Sequence, residues 1–380
     1  MKFSKRLNIF NEYVFAGLAR KKKEVEEKSG RKVLDLSIGS PDFSPSQIYL
    51  EKFKSFVEEE KSHLYPGYGA IPEFVGAIQS WYKDRFNVVI DHNELLPLLG
   101  AKDGVSHLPL ALLDPGDEVL VPDPGYPGFS GPAKLIEAVP VFYNLTEKND
   151  FKVDLSELEK KTTRKTKFIW VNFPANPTGQ VATKMELKKI VDFAKRRKIW
   201  LIYDNAYSEI TFDGYVAPSI LEIPGAIDIS VEIASFSKTF SFAGDRMGWI
   251  VGNHEVVSAL AKVKSQFDSG LSISLQKLGA FALNNFDKKW HRSMISSYEK
   301  RRDIIIKSLK RIGLVAHKNL GSLYLWIKIP ENFKNSEEFS YKLLKEKQVL
   351  LTPGTAFGKN GERYVRVSIC VNIDNIEKYL

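Results

Sequence analysis

Apolar and polar positions along the chain fall into three regimes. In residues 10–28, Phe10, Tyr13, Val14, Leu18 and Val25 recur at near-helical spacing, which predicts an amphipathic helix. Residues 33–38 alternate and stop at Gly39-Ser40-Pro41, the pattern of a strand ending in a turn. From about 70 to 250, short continuous apolar runs alternate with helical stretches. The runs are 118–121, 168–172, 200–204, 230–236 and 249–252, and a helical pattern over 185–198 separates the second from the third. Runs apolar on both faces, separated by helices, predict a buried, mostly parallel sheet covered on both sides. Residues 254–310 read as largely helical. Alternation then returns at 322–327 and 364–369, with a helix near 336–347 between them. The expectation is a large α/β domain and a smaller, discontinuous α+β domain that includes the N-terminal segment.

Composition adds mainly exclusions. The chain has 380 residues, 43% hydrophobic and 27% charged, ordinary values for a soluble protein of two domains with ample core. One cysteine, Cys370, excludes a disulfide framework and a cysteine-based zinc site, and the six histidines lack metal-ligand spacing. The net charge is +9, but the densest run, Arg20-Lys21-Lys22-Lys23, is followed by Glu24, Glu26 and Glu27. That is a solvated helix face rather than a nucleic-acid stripe, so no nucleic-acid partner is expected. The positive balance suits small anionic ligands. No run approaches 18 apolar residues, and the basic N-terminus is not followed by an apolar signal core. No membrane association is expected, and the expected location is the cytoplasm.

In open α/β sheets, ligands bind just past the carboxyl ends of strands. The residues there are Gly39, Gly100-Ala101-Lys102, Tyr126, those from Asn172 to Asn176, Asp204, and those from Ser235 to Lys238. Taken singly they are unremarkable: Asp204 reads as a helix cap, Lys238 as a solvated lysine, Arg246 as a salt-bridge partner. Together, Ser235-Phe236-Ser237-Lys238 followed by Arg246 offers two hydroxyls, an amine and a guanidinium at one sheet edge. Hydroxyls and arginine suit a phosphate dianion. An amine beside a phosphate ester that carries a carbonyl suits an imine cofactor. A carboxylate at another strand end can keep a pyridine nitrogen protonated. The set fits pyridoxal phosphate.

Four segments in register carry a resemblance over essentially the whole chain. They are Asn172-Phe173-Pro174-Ala175-Asn176-Pro177-Thr178-Gly179, Tyr203-Asp204-Asn205-Ala206-Tyr207, the stretch from Ser235 to Gly248, and Tyr364-Val365-Arg366-Val367-Ser368. The sequence resembles the class I/II aminotransferases, pyridoxal-phosphate enzymes of fold type I. The resemblance implies a seven-stranded, mostly parallel sheet between helices in a large domain of residues 45–285, and a small domain of residues 1–44 and 286–380. It makes Lys238 the Schiff-base lysine and proton shuttle, Asp204 the partner of the pyridine nitrogen, and Tyr207 and Asn176 the groups on the 3′-oxygen. It makes Tyr126 the aromatic stacked on the ring. It assigns the phosphate to the backbone N–H groups of Ala101 and Lys102 with Ser235, Ser237 and Arg246. Relatives commonly carry Ser or Gly where this chain has Ala101, which keeps the backbone donor and lacks a hydroxyl. Arg366, Asn176 and Gly39 match the reader of the substrate α-carboxylate. Tyr65 aligns with a tyrosine that reaches the phosphate of a neighbouring subunit, and Ser269 to Ser272 with another crossing segment. Both imply a homodimer with composite sites.

The implied reaction is transamination between an α-amino acid and a 2-oxo acid, with glutamate/2-oxoglutarate as one pair. Residues 38–42, 65–82 and 99–104 look most like the branch that holds LL-diaminopimelate aminotransferases; aspartate, alanine and aromatic aminotransferases are alternatives. A C–S β-lyase on the same fold would share Lys238, Asp204 and Arg366, so that reading stays open here. A cofactor-sensing regulator is not expected, since the first strand begins near residue 33.

Overall fold

A computed structural model describes residues 3–10, 14–373, 376 and 379. The predicted N-terminal helix forms over Val14–Ser29; Phe10 precedes it and is exposed, and Tyr13 lies outside the described residues. Thirteen strands follow among the described residues. β1 is Leu34–Asp35, β2 Leu95–Leu98, β3 Glu118–Asp123, β4 Val139–Asn144, β5 Thr166–Asn172, β6 Trp200–Asp204, β7 Ser230–Ser235 and β8 Gly248–Gly252. Toward the C-terminus come β9 Val315–Ala316, β10 Tyr324–Lys328, β11 Val349–Leu350, β12 Thr352–Pro353 and β13 Tyr364–Ser368.

Seven strands form one sheet in the order β2-β8-β7-β6-β5-β3-β4. From β7 to β4 all pairings are parallel, while β8 runs antiparallel to both of its neighbours. The apolar runs exist because both faces are covered. In β5, Phe168 and Trp170 enter one core with Val105, Leu108, Val256 and Leu260 of the helices Ala101–Leu112 and His254–Lys264. Ile169 and Val171 alternate into the opposite core, against Phe74, Ile78, Leu187, Ile190 and Leu278. Five strands coincide with the apolar runs. The other two, β2 and β4, carry Pro97 and Pro140 and lie at the two edges of the sheet, where a missing N–H is tolerated.

Outside that sheet, β9, β10, β13 and β12 form a four-stranded antiparallel sheet, and β1 pairs in parallel with β11, Leu34 opposite Val349. Their core joins Leu36, Leu325, Val365 and Val367 to Tyr298, Ile305 and Leu309 of the helix Lys288–Arg311. The strand expected over 33–38 is shorter as a formal pair. Even so, Leu36 N–H donates to Leu350 O and Ser368 N–H donates to Leu36 O, which fixes the Gly39 turn against β13. The strand expected over 322–327 is displaced to Tyr324–Lys328, and the helix Ser336–Lys347 lies where the pattern put it.

Candidate active site

The carboxyl ends of β5, β6 and β7, the start of the helix Ala101–Leu112, and the Gly39 turn open onto one cavity of about 520 Å³. Twelve of the thirteen site residues expected from the sequence line it; the exception is Tyr65.

At the centre, Lys238 lies on the single helical turn Phe236–Thr239, which β7 feeds directly. Ser235 Oγ caps that turn by accepting Ser237 N–H at 3.2 Å. Lys238 Nζ donates to Gly39 O at 3.0 Å and sits 5.8 Å from the Tyr207 ring centre. Asp204 ends β6 and is buried. Burial pushes its carboxyl up to about 6, although Ala206 N–H, donating to Oδ1 at 3.1 Å, and the Lys238 charge pull the other way. Asn172, at the end of the neighbouring β5, donates to Asp204 O at 2.9 Å and accepts Asn176 N–H at 2.9 Å, so one amide holds both loops.

One end of the cavity has the donors that suit a carboxylate. Arg366 sits mid-strand in β13 and is 3% exposed. It donates to Asn176 Oδ1 at 2.9 Å and to Ser37 O at 2.7 Å, and its guanidinium lies over the rings of Tyr324 (4.0 Å) and Phe357 (4.6 Å). Gly39 is required there: a Cβ would overlap the Tyr324 hydroxyl.

The other end suits a phosphate. Gly100 precedes the helix Ala101–Leu112 with φ +79°, and a Cβ on it would overlap the Arg246 guanidinium. The start of that helix, whose first N–H groups have no side-chain cap, lines the cavity together with Arg246, Ser235 and Ser237. Arg246 donates to Ala243 O at 2.7 Å, which aims its guanidinium. Tyr126 lines the wall past the end of β3, edge-on to Phe129.

The sequence reading missed Tyr324. Its hydroxyl accepts from Tyr207 at 3.3 Å and donates to Gly39 O at 3.4 Å. Burial and this neighbour push the Tyr207 phenol well above its ordinary value. The available signal was the β10–β13 register, in which Tyr324 faces Ser368 and lies diagonal to Arg366, but register is not visible in sequence.

The donor set fits pyridoxal phosphate: a buried carboxylate available to a ring cation, an amine opposite it, and oriented N–H, hydroxyl and guanidinium donors grouped for a dianion. Such a cleft, at the strand ends of this mixed sheet, defines a pyridoxal-phosphate enzyme of fold type I. Residues 31–380 match the family aminotransferase class I and II, and the chain belongs to that family; it is a transaminase. It is 40% identical over 375 residues to the LL-diaminopimelate aminotransferase of Aquifex aeolicus, covering 98% of this chain and 96% of that protein. The apo-BacF structure from Bacillus subtilis superposes with a TM-score of 0.94 at 32% identity, over 100% of this chain and 97% of that one. An aminotransferase structure from Staphylococcus aureus gives 0.89 at 29% identity, over 99% and 96%. The aminotransferase names of these relatives do not favour the C–S lyase reading. Among the described residues, no helix is long and apolar enough to cross a membrane, and no group of three or more His, Cys, Asp or Glu could hold a metal ion.

Proposed function

We propose that this transaminase takes the amino group from LL-diaminopimelate and passes it to 2-oxoglutarate, forming glutamate. The observation that carries this reading is the 40% identity, over nearly the full length of both chains, to the Aquifex aeolicus LL-diaminopimelate aminotransferase. Both partners present an α-amino-acid or 2-oxo-acid head group, and the Arg366, Asn176 and Gly39 end of the cleft reads that shared part. Arg366 holds the α-carboxylate through its planar pair of donors, already oriented by Asn176 and Ser37.

Bound pyridoxal phosphate supplies a carbonyl that takes the amino group and a ring that accepts the electron pair left at Cα. Lys238 would hold the cofactor, and its amine is placed to carry the proton away from Cα. Asp204 keeps the proton on the ring nitrogen. Tyr207, its single O–H turned from Tyr324, and Asn176 would donate to the ring oxygen, and Tyr126 would stack on the ring. Ala101 and Lys102 N–H, Ser235, Ser237 and Arg246 hold the phosphate. Tyr65, exposed in the single chain, serves the phosphate of a second copy in a homodimer. Residues 45–285 form the cofactor-bearing domain, and residues 1–44 with 286–380 the one that brings Arg366 to it.

The test is a half-reaction. The protein is loaded with pyridoxal phosphate, and LL-diaminopimelate, glutamate and other amino acids are added singly without an oxo acid. LL-diaminopimelate and glutamate are each expected to bleach the visible band to the amine form of the cofactor. Bleaching by glutamate but not by LL-diaminopimelate would remove the substrate assignment.

A further inference from the structure

Beneath the phosphate end lies a charged cluster outside the cavity, with Lys264 and Asp103 buried at its centre and His107 and Asp268 partly exposed at its rim. Lys264, in the last turn of the helix His254–Lys264, is 4% exposed. Its ammonium is bound by two carboxylates, Asp103 in a very close contact and Asp268 Oδ2 at 2.7 Å. Asp103, 8% exposed, sits in the first turn of the helix Ala101–Leu112. Its Oδ2 also accepts Leu99 N–H at 2.8 Å, and its Oδ1 meets His107 Nδ1 at 2.6 Å. Burial drives the Asp103 carboxyl up, but His107 and Lys264 outweigh burial and hold it below its ordinary value.

The position of this cluster gives it a task. Asp103 grips the chain at Leu99, one residue before Gly100 and two before the first N–H of the phosphate cup. An anion directly under that cup would repel a phosphate dianion unless a cation neutralised it. Lys264 and His107 are the two basic side chains in contact with Asp103, and of the two Lys264 is the buried one. We infer that Lys264 is a positioning residue for phosphate binding: through Asp103 it fixes the Leu99-Gly100-Ala101 turn, and it offsets the charge of the one carboxylate that grips that turn. The inference rests on the assignment of the cofactor phosphate to this end of the cleft. The surrounding helix contacts alone would not need a buried lysine, since removing such a pair in favour of apolar packing is commonly neutral.

The experiment compares apo full-length protein for affinity toward pyridoxal phosphate and toward pyridoxal, which lacks the phosphate. The ratio of the two affinities isolates the phosphate end. In Lys264→Met the ratio is expected to fall about tenfold or more, because the buried carboxylate loses its partner. In Lys264→Met combined with Asp103→Asn, most of the ratio is expected to return. His107→Leu, at the half-exposed rim, is expected to lower it about threefold through one lost hydrogen bond, and it serves if the lysine variant does not fold. Equal weakening of both ligands, with the ratio unchanged, would make Lys264 merely structural and overturn the inference. Arg246→Ala is the control. An unchanged ratio there would remove the phosphate assignment itself, whereas a fall there beside an unchanged ratio in the Lys264 and His107 variants would defeat this inference alone.

Discussion

Asp204 shows how one residue can be set against the stability of the protein that carries it. Its folded-state pKa of about 6 lies above the ordinary carboxylate value of 3.8, so the folded chain holds a proton that the unfolded chain releases. The resulting stability is full below about pH 4 and is lost as the pH rises through about 6, a difference of about 3 kcal/mol. Without cofactor, Asp204→Asn should therefore unfold at a higher temperature than the parent at pH 8 and at nearly the same temperature at pH 4. A pH-independent difference between the two would contradict this. With pyridoxal phosphate the order should reverse at pH 8, because only the carboxylate has a ring cation to pair with. Residues such as Lys238, Asp204 and Arg366 were legible in the sequence because each stands in a distinctive run of neighbours. Tyr324 was not, because its importance comes from who stands across the sheet from it, and Lys264 looks like any helix-surface lysine until its helix is packed.

At the scale of elements, hydrophobic patterning located the five inner strands and the helices Val14–Ser29, Lys184–Arg197 and Ser336–Lys347, along with the helical stretch after residue 254. They did not locate β2 and β4, whose prolines argue against strand and make sense only once they are placed at the sheet edges. The run that became β7 contains Glu232, a carboxylate in the middle of a fully buried strand. It accepts hydrogen bonds from Tyr82 at 2.7 Å, from Ser219 at 2.6 Å and from Ile220 N–H at 3.0 Å. Burial raises its pKa while these donors oppose the rise. The contacts lock the helix Pro72–Phe86 and the 219–222 turn to the strand that delivers Lys238. Tyr82→Phe should cost about 1–3 kcal/mol in urea unfolding, because it strips a donor from a buried acceptor. The visible spectrum of the loaded protein should be unchanged. A spectral change would place Glu232 in the chemistry rather than in the scaffold.

At the scale of the whole molecule, the single chain leaves Tyr65 88% exposed, with Leu64 and Tyr68 beside it and Phe267 also uncovered. Gly270, with φ +92°, packs so closely on Gly67 O that no Cβ would fit, which holds the 268–270 and 65–68 turns together. A second copy covering this face would bring Tyr65 to the partner's phosphate. If so, mixing Tyr65→Ala with Lys238→Ala protein under exchange should restore activity that neither variant has in full, up to about a quarter of the parent value. Half of the dimers would be mixed, each with one intact site. No gain on mixing would mean that each chain completes its own site. The sequence suggested this arrangement only through resemblance, since no pattern within one chain reports what its neighbour contributes.

The pairing of Leu34 with Val349 also sets an order of events at the ribosome. Strands β2 to β8 emerge as one stretch from residue 95 to residue 252, so Asp204, Lys238 and the phosphate cup can be in place while the rest of the chain is unmade. The segment that supplies Ser37 and Gly39 has by then left the exit tunnel with no strand to pair with. It waits through about a hundred more residues, on the order of ten seconds of synthesis. On the site assignments proposed above, the chain's own cofactor residues in the large sheet are therefore made before the pair that reads an amino acid is complete. Until then the early segment keeps Leu34 and Leu36 without the strand that covers them.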